Sequence, residues 1–151
     1  MKVKISSDFS DLLFLLNEEK VEYLLVGGYA VSIHSEPRYT KDIDIWVRPS
    51  PENAKKIYSA LTKFGAPLKS LNIEESDFTN EDCFVQFGRE PVRVDFLMSL
   101  KGLNFDEAWS RKEIINLGGL KVNLIGKNDL IVSKKLVGRP QDLIDVESLK
   151  K

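Results

Sequence analysis

Residues 24–47 read LLVGGYAVSIHSEPRYTKDIDIWV: an apolar run, a glycine pair, a short helical stretch and an alternating strand, in that order. Tyr23-Leu24-Leu25-Val26 broken by Gly27-Gly28 is the pattern of a buried strand ending in a tight turn. Tyr29 to His34 can form a short helix straight after that turn, and Pro37 disfavours its continuation past Glu36. Asp42 to Val47 alternates polar and apolar residues, which predicts a second strand.

This segment holds two chemical signals. A glycine turn lets backbone approach a ligand closely, and the N–H groups of the helix after it form a natural anion site. The plain alternative is a turn between two core elements. Asp42 and Asp44 are two apart on a strand, so both carboxylates share one face and Ile43 and Ile45 the other. Carboxylates held that close repel unless a cation neutralises them, and hard divalent ions with oxygen ligands do so. A half-buried strand with one wet face is the alternative, but Trp46 shares the acids' face. Core packing is the favoured role for that indole, over a stacking platform for a base. Further on, Arg93-Val94-Asp95-Phe96-Leu97 sets another acid in an apolar strand. Asp95 either joins the first two acids or pairs with Arg93 or Arg89, because adjacency of strands is not visible in sequence.

Outward from these strands the chain alternates helices and strands. Asp8 is a candidate cap for a helix through Phe9, Leu12, Leu13, Leu15 and Leu16. Ser50-Pro51 reads as the start of a helix through Ile57, Leu61 and Phe64, stopping near Gly65. Residues 66–82 are the least regular. Cys83–Phe87 and Val92–Leu97 read as paired strands joined by Gly88-Arg89-Glu90-Pro91, with a short helix from Asn104 to Arg111 after them. Gly118-Gly119 marks a hairpin between Glu113–Leu117 and Lys121–Ile125. Asn128 is a candidate cap for a helix ending near Gly138, and Pro140 opens a last one through Leu143, Val146 and Leu149. The order α-β-α-β-α-β-β-α-β-β-α-α mixes one crossover with antiparallel pairs. The expected class is α/β (α+β): a mixed sheet flanked by helices, not a doubly wound one.

Composition narrows the function. Of 151 residues, 22 are Lys or Arg and 23 Asp or Glu, a net charge of −1 that excludes a generally polybasic nucleic-acid binder. One cysteine, Cys83, excludes an internal disulfide, and one histidine, His34, excludes a multi-histidine zinc site. The N-terminal MKVKISSDFSDLL lacks the apolar run of a signal peptide, and no stretch is long enough to span a membrane, so the cytoplasm is expected.

The pattern Val26-Gly27-Gly28, thirteen residues, Asp42-Ile43-Asp44 and then Asp95 resembles the nucleotidyltransferase superfamily with the DNA polymerase β type fold. Gly27, Gly28, Ala30, Arg38, Thr40, Asp42 and Asp44 also match a small prokaryotic branch related to the abortive-infection and toxin–antitoxin nucleotidyltransferases. In the tail, Lys134, Arg139, Asp142 and Asp145 follow the same branch. Two positions depart: Gly28 stands where many active members carry Ser, and Ser35 where the branch often has Gly.

The resemblance implies a single domain over 1–151, with a catalytic core of about 8–126 and C-terminal helices over about 127–151. It implies transfer of NMP from an NTP to a hydroxyl acceptor (RNA, protein or small molecule), and pyrophosphate release; the alternative is a non-catalytic nucleotide-binding or regulatory module of the same fold. Asp42 and Asp44 would hold Mg²⁺ (or Mn²⁺) against the phosphates, and Asp95 would bind the catalytic metal and help deprotonate the acceptor. Gly27 and Gly28 would meet the phosphates, with Arg38, Lys41, Lys134 and Arg139 neutralising charge. For Arg38, Lys41, Lys134 and Arg139 the alternative is a solvated loop or helix end. Asp142 is expected to orient Lys134 or Arg139, and Asp145 to be structural. The chain is little more than the catalytic core, so a homodimer or a partner chain is expected to help form the acceptor site; a toxin–antitoxin pair is one such setting.

Overall fold

The computed structural model describes residues 5–89 and 92–151, the side chain of Arg89 excepted. The start of the N-terminal segment and the turn at Glu90-Pro91 lie outside the described residues. Helix α1 spans Ser7–Glu18, strand β1 Tyr23–Val26, helix α2 Gly27–His34, strand β2 Asp42–Val47 and helix α3 Pro51–Phe64. Then come β3 (Phe84–Arg89), β4 (Val92–Leu97), α4 (Phe105–Ser110), β5 (Glu113–Leu117), β6 (Leu120–Leu124), α5 (Lys127–Val137) and α6 (Pro140–Lys150). The expected order holds throughout, and the expected class with it.

The six strands form one sheet in the order β3-β4-β2-β1-β6-β5. β2 runs antiparallel to β1 and parallel to β4, while β6 runs parallel to β1. The hairpins β3–β4 and β5–β6 close the two edges. This is the mixed sheet the alternating signals pointed to. It places the two acid-bearing strands, β2 and β4, side by side.

Burial follows the period-two pattern. Ile43 and Ile45 of β2 and Val94 and Phe96 of β4 are fully buried on one face, under α1 and α3. On that face Phe96 meets Phe78 edge-on at 5.7 Å and stacks with Phe87 at 6.3 Å. Phe78 belongs to a short 3-10 helix, Glu75–Thr79, inside the stretch that reads as least regular. Its local signal is a capping box between Glu74 and Asp77.

Two caps differ from expectation. Ser6, not Asp8, caps α1, its hydroxyl accepting from the Phe9 N–H at 3.3 Å, while Asp8 sits in the first turn. Helix α5 begins at Lys127 after Gly126, and Asn128 lies inside it without capping. Other ends fall where the residues suggest: Ser50 caps α3 with Pro51 at its first turn, and Gly65 closes it at φ 93°. No helix among the described residues is long and apolar enough to cross a membrane.

Trp46 is buried and packs edge-on against Phe105 at 5.1 Å, so its ring is core and not a base platform. Its indole Nε1 has no hydrogen-bond partner. His34 ends α2 and bonds the Ile125 carbonyl through Nε2 at 2.7 Å. Cys83 is exposed just before β3, at the strand end.

Candidate active site

Strand register builds the centre. In the parallel β2–β4 pair, Asp44 lies opposite Asp95 and Asp42 opposite Arg93. All four side chains therefore leave the sheet on the face opposite the Ile43–Val94–Phe96 core. On the other side of β2, Val26 lies opposite Asp44, so the Gly27 turn begins beside that carboxylate. Gly27 has φ +68°, and a Cβ there would occupy the space of the Asp44 carboxylate. Glycine is required at this position both by its backbone angle and by the acid packed against it.

The acids are electrostatically crowded. Burial, followed by the neighbouring charge of Asp95, pushes the Asp44 carboxyl up to about 7, with Asp42 adding to the rise and Lys134 opposing it. Hydrogen bonding with the Asp95 carboxyl adds to the same rise. Gln86, opposite Asp95 on β3, donates to its Oδ1 at 2.7 Å. Arg93 lies between the acids, its Nε 3.9 Å from Asp42 Oδ2 and 3.8 Å from Asp95 Oδ1, and makes no hydrogen bond to either. Asp42 Oδ1 is buried with no partner. An orphaned carboxylate oxygen beside two crowded carboxyls is a donor set short of a cation, and an all-oxygen set suits Mg²⁺. Among the described residues no three acid, His or Cys side chains converge on one point, so closing around an ion requires rotation of these side chains.

The cations come from three elements. Lys134 lies on α5, Arg139 precedes α6, and Arg38 sits in the loop before β2. Buried Asp142 accepts from Arg139 Nε at 2.7 Å and from Lys134 Nζ at 3.3 Å, which is the orienting role expected of it. Arg139 beside Asp142 holds that carboxyl below the usual carboxylate range. Lys134 also reaches Asp145 Oδ2 at 2.9 Å, and Arg38 Nη1 reaches Asp145 Oδ1 at 2.6 Å. Sequence reading gave Asp145 a merely structural place, because nothing local connects it to residues 107 positions earlier.

Two recesses meet at Asp44. One, of about 250 Å³, is lined by Gly27, Asp44, Lys134, Arg139 and Asp142, with Leu97, Leu100, Leu130 and Val137 as its apolar wall. The other, of about 520 Å³, is lined by Arg38, Tyr39, Thr40, Lys41, Asp42, Asp44 and Gln141. Tyr39 is 77% exposed at its rim. Every residue expected to meet phosphate or metal lines one of these recesses, except Gly28 and Asp95. Gly28 adjoins Thr40 and Arg38, and Asp95 faces Asp44.

Comparison with known proteins agrees with this architecture. The chain matches, over residues 4–150, the family described as nucleotidyltransferase of unknown function (DUF6036), and it belongs to that family. No curated protein matches it by sequence. Among solved structures it is similar to a protein from Thermotoga maritima assigned as a nucleotidyltransferase, at 14% identity and TM-score 0.61, covering 92% of this chain and 88% of that one. An antigenic nucleotidyltransferase-like protein from Paracoccidioides brasiliensis aligns at 17% identity and TM-score 0.55, covering 96% and 77%. The lincosamide antibiotic adenylyltransferase LnuA, bound to lincomycin, aligns at 16% identity and TM-score 0.52, covering 100% and 99%. At these identities the likeness is one of fold, and the fold is that of the nucleotidyltransferases.

Proposed function

We propose that this protein transfers a nucleoside monophosphate from an NTP to a hydroxyl acceptor, with Asp42, Asp44 and Asp95 as its metal-binding and catalytic acids. The observation that carries this reading is the register that sets Asp44 against Asp95 beside the Gly27 turn. A bound Mg²⁺ or Mn²⁺ would neutralise phosphate charge and polarise the α-phosphoryl group.

The chain's own groups would divide the remaining work. The first turn of α2 has backbone N–H groups without helical partners, which suits the β- and γ-phosphates. Lys134 and Arg139 line the same recess and would balance the charge of the leaving pyrophosphate. In-line displacement brings the nucleophile from the side opposite the leaving group. The second recess, lined by Arg38 to Asp42 and sharing Asp44 with the first, would admit the acceptor hydroxyl. Asp95 would take the hydroxyl proton, held in orientation by Gln86.

Isothermal titration of each NTP, as a non-hydrolysable analogue with Mg²⁺, tests this against wild type and Asp42→Ala/Asp44→Ala. Metal-dependent binding of one NTP, lost in the double variant, is expected. Binding that survives removal of both acids would assign nucleotide capture to the glycine turn and cations alone, in a module without turnover.

A further inference from the structure

Asp145 is nearly the most buried charge in the chain, 2% exposed, and it lies on the last helix, far in sequence from the acids. Its two oxygens are fully used. Oδ1 accepts from Arg38 Nη1 at 2.6 Å and from Gln141 Nε2 at 2.9 Å. Oδ2 accepts from Arg38 Nη2 at 3.4 Å and faces Lys134 Nζ at 2.9 Å. One carboxylate thus joins a cation from each recess, because Lys134 lines the smaller one and Arg38 the larger.

We propose that Asp145 is a positioning residue that fixes Arg38 and Lys134 in the two recesses that share Asp44, for phosphate binding. The proposal rests on the nucleotide reading above. Three observations carry it. Lys134 is only 12% exposed at the side chain, and the ammonium at the tip of its four-carbon stem is held by Asp142 and Asp145. Arg38 is spread flat by a two-point contact, the geometry that fixes a guanidinium plane. Across the cluster, three cations (Arg38, Lys134, Arg139) are gathered by two carboxylates (Asp142, Asp145) around recesses that both reach Asp44. A carboxylate serving only to join α6 to the sheet would need one partner. This one is shared between the two cations nearest the proposed reaction centre.

The test uses inorganic tripolyphosphate as the probe, titrated calorimetrically at 25 °C into the whole chain with Mg²⁺ present. Wild type, Asp145→Asn and Asp145→Glu are compared, each shown to be folded by circular dichroism. The expected result is at least a tenfold loss of affinity in Asp145→Asn, with Asp145→Glu within threefold of wild type. Wild-type affinity in Asp145→Asn overturns the proposal. Should Asp145→Asn fail to fold, Arg38→Lys replaces it, because lysine keeps the charge but cannot make the two-point contact to Asp145. A loss of threefold or more is then expected; wild-type affinity overturns the proposal. If wild type binds no tripolyphosphate, the nucleotide reading fails first and this proposal fails with it, an outcome distinct from a variant that binds as wild type does.

Discussion

Asp44 and Asp95 face each other across the parallel β2–β4 pair, with the Asp44 carboxyl pushed up to about 7, in a site where a further buried carboxylate oxygen, Asp42 Oδ1, has no partner. Two acids on neighbouring strands, buried together and pointing the same way, destabilise the free protein. Such an arrangement is maintained where a ligand completes it.

The first expectation concerns turnover. Asp44→Asn keeps the shape and hydrogen-bonding capacity of the side chain but removes the charge a divalent ion requires. It should lower nucleotidyl transfer by at least about a hundredfold, with the fold unchanged by circular dichroism. Unchanged activity in this variant would remove Asp44 from the metal site.

The same pair sets a pH dependence in the metal-free protein. Asp44 titrates at about 7 when folded, against an ordinary value of 3.8. A raised folded value means the unfolded chain releases this proton first. The stability contribution is therefore full below pH 4 and is lost as pH rises through about 7. Asp142 and Asp145 shift downward, so their contribution acts in the opposite direction and fades in acid. Thermal melts without metal should show a melting temperature that falls between pH 5 and 7 and levels off above it. Asp44→Asn should flatten that fall. A wild-type curve that rises across this range contradicts the raised Asp44 value.

Asn53 offers a purely structural test. It is 2% exposed, and its Oδ1 accepts from the Glu22 N–H at 2.8 Å while Nδ2 donates to the carbonyls of Glu22 and Arg48 at 3.0 and 2.9 Å. One amide thereby ties α3 to the start of β1 and the end of β2. Asn53→Ala leaves the Glu22 N–H and the Arg48 carbonyl without these partners, while the Glu22 carbonyl keeps the Arg48 N–H at 3.2 Å, and should cost about 1–3 kcal/mol, read from urea unfolding. A loss under half a kilocalorie would mean water takes over those bonds.

These cases show what was legible in the chain and what was not. Strand alternation at Asp42–Val47 and Val92–Leu97, and the glycine turn at Gly27, located the acids and their common face, because period and turn chemistry are local. Adjacency of β2 and β4 was not legible, since parallel strands are joined through residues that carry no record of register. For the same reason the roles of Asn53 and Asp145 were hidden: their partners lie 31 and 107 positions away. Caps failed where two candidates stood close together. Ser6 outcompeted Asp8, and the Gly126 turn started α5 before Asn128 could cap it. The stretch 66–82 looked irregular because its anchors, Leu68, Ile73 and Phe78, are scattered through a polar sequence without a helix or strand period.

Gly28 can be tested as a departure from the related enzymes that carry Ser there. A Cβ at Gly28 would lie 2.9 Å from the Thr40 γ-methyl, closer than side chains pack, and 3.4 Å from its hydroxyl. The space that a serine would fill is therefore taken by Thr40, whose Oγ1 donates to the Arg38 carbonyl at 3.4 Å and so belongs to the loop leading into Asp42. Gly28→Ser alone should push that loop outward, destabilise the fold by about 1–3 kcal/mol and weaken nucleotide binding. Thr40→Ser removes the clashing methyl and keeps the hydroxyl. The double variant Gly28→Ser/Thr40→Ser should recover most of the lost stability and bind an NTP analogue at least as tightly as wild type, because a hydroxyl is now present beside the phosphates. The two substitutions in contact should be strongly non-additive, with a coupling of about 1 kcal/mol or more in a double-mutant cycle. Simple additivity would show that Thr40 is not what keeps a serine out of this turn.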